Sequence, residues 1–317
     1  MKKRQLGRSG LKIAPLAFGG NVFGWTINEA ESFSLLDTFV SSGFNLIDTA
    51  DVYSTWAPSN VGGESEAIIG NWLKRSGARG KVVIATKVGQ QMGPDQLGLS
   101  KNYILKAVEA SLKRLQTDYI DLYQSHRDDP SAPLEETLEA FALLIEQGKI
   151  RSIGASNFSG PRLEKALETS RRLGLPSYSC LQPRFNLFDR SDYEEELESV
   201  CVKNGVGVIC YSSLASGFLT GKYRAEIDLA KSARGSGVKK YLTERGFRIL
   251  KALDDVSTQF GATPAQIAIA WLVSRSSVTA PIASATSLSQ LNVLMNATQI
   301  ELSRNAIECL DKASERD

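Results

Sequence analysis

The strongest limit on what this chain can fold into is a repeat of hydrophobic pattern rather than of sequence. Short apolar, β-branched runs at 15–20, 44–50, 81–87, 119–126, 150–156, 179–182, 205–213 and 278–284 read as eight strands. Longer amphipathic segments separate them. In 102–115, Ile104, Leu105, Val108, Leu112 and Leu115 keep a helical period, and 133–149 opens near Pro133 and closes near Gly148. Strand and helix in steady succession imply a parallel sheet with helices outside, and eight such units favour closure. The expected architecture is therefore α/β, a (β/α)8 TIM barrel, in a single domain over residues 1–317. An N-terminal β-hairpin is predicted ahead of it, because "KRQLGRSGLKIA" has apolar runs on both sides of "GRSG". An open doubly wound sheet is the competitor. No charged or Pro/Gly-rich linker divides the chain, and no GxGxxG follows an early strand. The Gly205–Gly207 pair precedes its strand, whereas a phosphate-binding turn follows one and opens a helix.

Composition excludes several function classes. With 37 Lys+Arg against 35 Asp+Glu, the net charge of +2 leaves no strong basic or acidic excess to suggest a nucleic acid or membrane-surface partner. Cys180, Cys201, Cys210 and Cys309 are far apart, without metal-ligand spacing, and read as reduced residues of a cytoplasmic protein. No metal is expected. The longest strongly apolar run, "IAIAWLV" at 267–273, is far short of the roughly 18 residues of a membrane span. The N-terminus lacks the continuous apolar run of an export signal.

Barrel enzymes keep their chemistry at the C-terminal ends of the strands. Collected there are Asp48, Lys87, His126, Ser156, Asn157, Gln182, Tyr211 and Ser212. Asp48 shares strand parity with Phe44 and Leu46, Lys87 with Val83 and Ala85, and His126 with Ile120 and Leu122. If those apolar residues fill the barrel, the three ionisable groups point at its mouth. Tyr53 follows in the loop after Asp48. A lysine beside it would lower its pKa from about 10 by roughly one to three units. Taken singly, each residue has a plainer reading: a buried Asp48–Lys87 ion pair, or a histidine bonded to a carbonyl. Together the four favour proton transfer. Asp51, Asp128 and Asp129 read as loop carboxylates or caps, and the long irregular stretch 213–242 as a functional or disordered loop.

"FNLIDTADVYS", "VVIATKVG", "YIDLYQSH", "QGKIRSIGASNFS", "LQPRFNLF", "VICYSSLASGFLTGKY" and "TPAQIAIAWLV" occur in this order. The chain thereby resembles the aldo-keto reductases over nearly its whole length. The resemblance implies Asp48, Tyr53, Lys87 and His126 as a catalytic tetrad for reducing a small-molecule carbonyl with NADP, NAD being the alternative. It implies Gly19 and Gly20 for close approach of the cofactor, and Ser156, Asn157 and Gln182 for its carboxamide. Tyr211 would stack on the nicotinamide. Ser212, Leu214, Gly217 and Lys222 would line the pyrophosphate, and Ser284, Thr286 and Gln290 the adenosine end. Phe23, Trp25, Trp56 and Arg127 are expected around the substrate.

Departures from the family pattern are Ser213 in place of proline, expected to loosen the loop, and Ser284, Thr286, Val293 and Leu294 in the last motif. These leave no cation at the adenosine end, so Lys222, Arg224 or Lys231 are the candidates to meet a 2'-phosphate. Two other readings stand beside reduction: a regulatory subunit similar to the potassium-channel β-subunits, and a Schiff-base aldolase with Lys87 as nucleophile.

Overall fold

In the computed structural model, which describes residues 2–232 and 235–316, eight parallel strands close into a barrel. A two-stranded hairpin, β1 (Arg4–Gln5) and β2 (Lys12–Ile13), precedes it. The barrel strands are β3 (Ala17–Gly19), β4 (Leu46–Asp48), β5 (Val83–Val88), β6 (Ile120–Ser125), β7 (Ile150–Ser156), β8 (Cys180–Gln182), β9 (Gly207–Cys210) and β10 (Ala280–Ala283). Each pairs with the next in chain order, and β10 returns to β3. Among the covering helices, α1 (Glu29–Ser41), α2 (Glu64–Ser76), α3 (Lys101–Leu115), α4 (Leu134–Glu146) and α5 (Gly160–Leu173) follow β3 to β7 in turn. After β8 comes α6 (Glu198–Asn204), and after β9 come α7 (Glu244–Phe260) and α8 (Pro264–Ser274). Then β10 leads to α9 (Leu288–Ala297) and α10 (Arg304–Ser314). Five of the eight observed strands are three or four residues long, because pairing stops where the chain bends into its loops.

Two apolar layers hold this arrangement. Leu46, Val83, Ala85, Leu122, Cys180, Ile209, Ala280 and Ile282 fill the barrel, and a larger cluster lies between the strands and the helices. Strand alternation therefore sorts most of the expected residues inward. Phe44 and Ile120 belong to the outer cluster instead. Phe44 precedes the paired part of β4 and stacks on Phe39 of α1 with ring centroids 5.0 Å apart.

The hairpin seals one end of the barrel. Its Leu6 and Ile13 are fully buried and join the inner cluster. Gly7, at φ +51°, sits so close that an added Cβ would lie 2.1 Å from the Ser179 carbonyl and 2.5 Å from the Gly207 nitrogen. That end is packed shut just before β8 and β9 begin, and the opposite end is left for chemistry. The stretch after β9 carries 3-10 segments at Ala215–Thr220, Glu226–Lys231 and Gly235–Tyr241, of which the first and last wall one side of the open end.

Candidate active site

At the open end, β4 and β5 bring Asp48 and Lys87 together. Lys87 Nζ donates to Asp48 Oδ2 at 2.8 Å, to the Thr49 carbonyl at 2.7 Å and to the Tyr53 hydroxyl at 2.9 Å. Those are three acceptors for the three protons of an ammonium. Burial pulls Lys87 down, but Asp48 and Tyr53 outweigh it and hold the amine above its ordinary value. The other Asp48 oxygen accepts from Gln182 Nε2 at 2.8 Å and Gln124 Nε2 at 3.4 Å, so strands β6 and β8 orient the carboxylate.

Tyr53 stands over this pair on the turn that follows β4. Its ring has His126 at 5.9 Å and Trp56 at 5.8 Å, centroid to centroid. Burial pushes the phenol up to about 12, against the downward pull of Lys87. The lysine acts in the expected direction, but desolvation is larger, so the net shift is opposite to the one anticipated from the sequence. Burial, Lys87 and Arg127 all push His126 well below its usual value, so the imidazole is neutral near pH 7. Its Nδ1 is buried with no hydrogen-bond partner among the described residues. A neutral imidazole still offers one N–H, and Tyr53 one O–H, to the same cavity.

Two connected hollows meet at Tyr53. One, of ≈ 600 Å³, is lined by Tyr53, His126, Arg127, Ser156, Asn157 and Gln182, with Gln90 at its rim. The other is a groove of ≈ 930 Å³ that runs from Asp48 and Tyr53 past Tyr211 to Thr286 and Gln290. Gly19, Trp25, Ser212, Leu214, Gly217, Lys222 and Ser284 also face it. The backbone around the two hollows is strained: Asn157, Ser212, Ala215 and Ser216 take φ of 54°, 60°, 48° and 58°, in the left-handed region that non-glycine residues avoid. A long groove with an aromatic wall, many hydroxyls and two lysines suits an extended ligand with aromatic and anionic parts.

Several expected residues stand elsewhere or do something else. Phe23 is fully buried and stacked on Phe18 at 5.3 Å, so it packs the core and does not frame a substrate. Gly20 is buried and faces neither hollow; an added Cβ there would meet Ser65 Oγ at 2.9 Å. Trp56 is 47% exposed beside Tyr53, and its edge meets Trp25 at 5.7 Å. Asn157 is spent on protein partners, donating to the His126 carbonyl at 2.9 Å and accepting from the Tyr211 hydroxyl at 2.8 Å. Ser213 tightens its loop: buried, it donates to the Ile282 carbonyl at 2.8 Å and so bolts the chain after β9 to β10. Arg224 and Lys231 are engaged by Asp254 and Asp228, both at 2.8 Å, and do not line the groove. Lys240 and Arg184 do, and the sequence reading missed both. Lys240 lies in the long irregular loop, and Arg184 in "LQPRFNLF" directly after β8. Arg184 is held at 5.8 Å from the Tyr211 ring.

Asp51 is no solvated loop residue. It is 3% exposed, accepts from Val52 N at 2.7 Å through Oδ1, and leaves Oδ2 without a partner. Burial pushes its carboxyl up to about 8, helped by Glu66, which is itself bound by Thr86 Oγ1 at 2.6 Å and Arg114 Nε at 2.7 Å. The folded protein then keeps a proton at pH 6 that the unfolded chain, with an ordinary carboxylate near about 4, has lost. This group's contribution to stability therefore falls as pH rises from about 4 to about 8, by at most about 1.4 kcal/mol per pH unit. Asp51→Asn keeps an oxygen for Val52 N–H and removes the proton linkage. Its stability relative to wild type is expected to improve between pH 5 and pH 8 in urea titrations; a constant difference would mean that folded Asp51 is ionised throughout.

Comparison with known proteins adds the family to this geometry. The sequence profile of the Aldo/keto reductase family matches residues 15–315. An Arabidopsis thaliana protein named "Probable voltage-gated potassium channel subunit beta" is 35% identical over 95% of this chain and 92% of its own length. Bacillus subtilis "Uncharacterized oxidoreductase YrpG" is 34% identical over 98% and 95%, and Escherichia coli "Protein tas" 32% identical over 97% and 96%.

Proposed function

The chain belongs to the aldo/keto reductase family, and from that membership we propose that it reduces an aldehyde or ketone to an alcohol with NADPH, with Tyr53 as the general acid. One observation carries the reading: a fully buried ammonium, Lys87, donates at 2.9 Å to the hydroxyl of a tyrosine that opens onto a cavity shared with a neutral histidine. Bound reduced nicotinamide supplies the hydride for the carbonyl carbon. The residues of the chain supply the rest. Tyr53 gives its proton to the carbonyl oxygen, Lys87 stabilises the phenolate left behind, and Asp48 keeps Lys87 charged and aimed. The His126 N–H orients the carbonyl.

The groove's residues fit the dinucleotide. Tyr211 offers a flat face, and Lys222 and Lys240 are cations along its wall. At the far end, Thr286 N and Oγ1 both donate to Gln290 Oε1, at 2.9 and 3.1 Å, and no lysine or arginine stands among the lining residues there. NADPH is the proposed donor, with Lys222 or Lys240 meeting its extra phosphate, and NADH the alternative; kcat/KM for the two, measured side by side, decides. Cytoplasmic residence belongs to the same reading, supported by four unpaired cysteines. None of the described helices is long and apolar enough to cross a membrane.

The test is consumption of NADPH and NADH, followed at 340 nm, with a panel of aromatic and aliphatic aldehydes. Turnover supports the reductase. Tight cofactor binding without turnover of any aldehyde would favour a second reading, a cofactor-sensing partner protein, which the likeness to the relative named as a potassium-channel β-subunit recommends. The aldolase reading has little support, since every Lys87 proton is engaged and the amine is held charged.

A further inference from the structure

Carbonyl reduction leaves one charge in the substrate cavity without a task. Arg127, directly after His126, lines the same ≈ 600 Å³ hollow as Tyr53 and is exposed there. It lies near enough to the imidazole for its charge to help keep His126 neutral. Its guanidinium has no hydrogen bond or ion pair among the described residues. The two carboxylates that follow it in sequence are already committed. Asp128, which lines the same hollow, is taken by Arg162 Nε at 2.8 Å. Asp129 accepts from Leu99 N at 2.8 Å and from Ser131 Oγ at 2.6 Å. Among the cations of the catalytic end, Lys87 is neutralised by Asp48 at 2.8 Å, whereas Arg127 is not neutralised at all. The cavity thus presents a planar, unpaired fork of N–H donors beside the carbonyl-binding groups.

We propose that the preferred substrates are aldehydes or ketones that also carry a carboxylate, and that Arg127 selects them by binding that group. The proposal rests on the reductase reading. A guanidinium matches a carboxylate in shape as well as charge, and a two-point charge-assisted pair is worth roughly tenfold in binding. The rings of Tyr53 and Tyr211, which both line the hollow, give a flat ring between carbonyl and carboxylate a surface to lie on.

The experiment compares kcat/KM for 4-carboxybenzaldehyde and for its neutral methyl ester, in wild type, Arg127→Met and Arg127→Lys. The expected ratio of acid to ester is about tenfold or more in wild type, reduced by added salt. It should collapse towards one in Arg127→Met and be partly kept in Arg127→Lys. A wild-type ratio of one or less, or a ratio unchanged in Arg127→Met, overturns the proposal. If neither aldehyde is consumed, the reductase reading fails, and calorimetric titration with 4-(hydroxymethyl)benzoate decides on Arg127 alone. Affinity about tenfold weaker in Arg127→Met supports an anion-selecting arginine. Equal affinities, or no binding to wild type, refute it.

Discussion

Tyr53→Phe is expected to lower kcat for aldehyde reduction by about 10²–10⁴-fold, the range for loss of a positioned general acid, while changing cofactor affinity only a few-fold. The phenyl ring keeps its neighbours Trp56 and His126, and Lys87 keeps Asp48 and the Thr49 carbonyl. What disappears is the hydroxyl proposed to pass a proton to a carbonyl oxygen beside His126. The loss belongs in kcat rather than in binding, because the phenol strengthens its contact with the oxygen only as negative charge develops there. Steady-state kinetics with a fluorescence titration of the cofactor checks both halves. Turnover retained within tenfold would remove Tyr53 from the acid's role. The pH dependence has a definite sign. With the phenol held up near about 12 in the ligand-free site, the acid stays protonated through the neutral range and reduction should have no alkaline limb below about pH 9. Oxidation of the corresponding alcohol needs the phenolate and should rise with pH over the same range.

Lys87→Met should be the most disruptive single change in the site, with two separable consequences. In catalysis, it deletes the cation that pulls the Tyr53 phenol down, so the alkaline rise of alcohol oxidation should move to higher pH and reduction should slow. In stability, it leaves the Asp48 carboxylate buried with only amide donors from Gln182 and Gln124 and the more distant Tyr53 hydroxyl at 3.4 Å, and breaking such a pair costs about 3–5 kcal/mol. The amine is raised in the folded state, so its stabilisation is fully present below the unfolded pKa of about 10.4 and fades only as pH climbs through the folded value. At pH 7 the whole loss should therefore be visible in chemical denaturation. Adding Asp48→Asn should restore part of that stability but none of the turnover, since it discharges the stranded carboxylate without replacing the cation. A single Lys87→Met variant as stable as wild type, with an unchanged pH profile, would mean that the lysine neither tunes the tyrosine nor anchors the pair.

Much of this was legible in the sequence because its signals are local. Eight apolar runs in alternation with helix-period segments specify a closed barrel, and seven of the eight end within two residues of their observed limits. Strand ends then named Asp48, Lys87 and His126, and alternation within each strand aimed them at one mouth. The errors were equally physical. Phe23 reads as a loop aromatic, and nothing nearby in sequence announces that it would be buried against Phe18. Asp51 reads as an ordinary turn carboxylate until α2 and α3 deliver Glu66 and Arg114 beside it. Ser213 was expected to slacken its loop, and its bond to Ile282 crosses 69 positions of sequence.

By itself, then, the sequence determined the layers, the barrel and which residue types reach its open end, since hydrophobic period and strand parity are properties of neighbours along the chain. Only the tertiary structure decided what those residues do to one another. Gln182 grips Asp48 from 134 residues away, Asp128 is drawn off to Arg162 while Arg127 is left unpaired, and desolvation overrides a lysine's pull on Tyr53. Pairing, burial and field strength depend on distances through space, and those exist only once the barrel has closed.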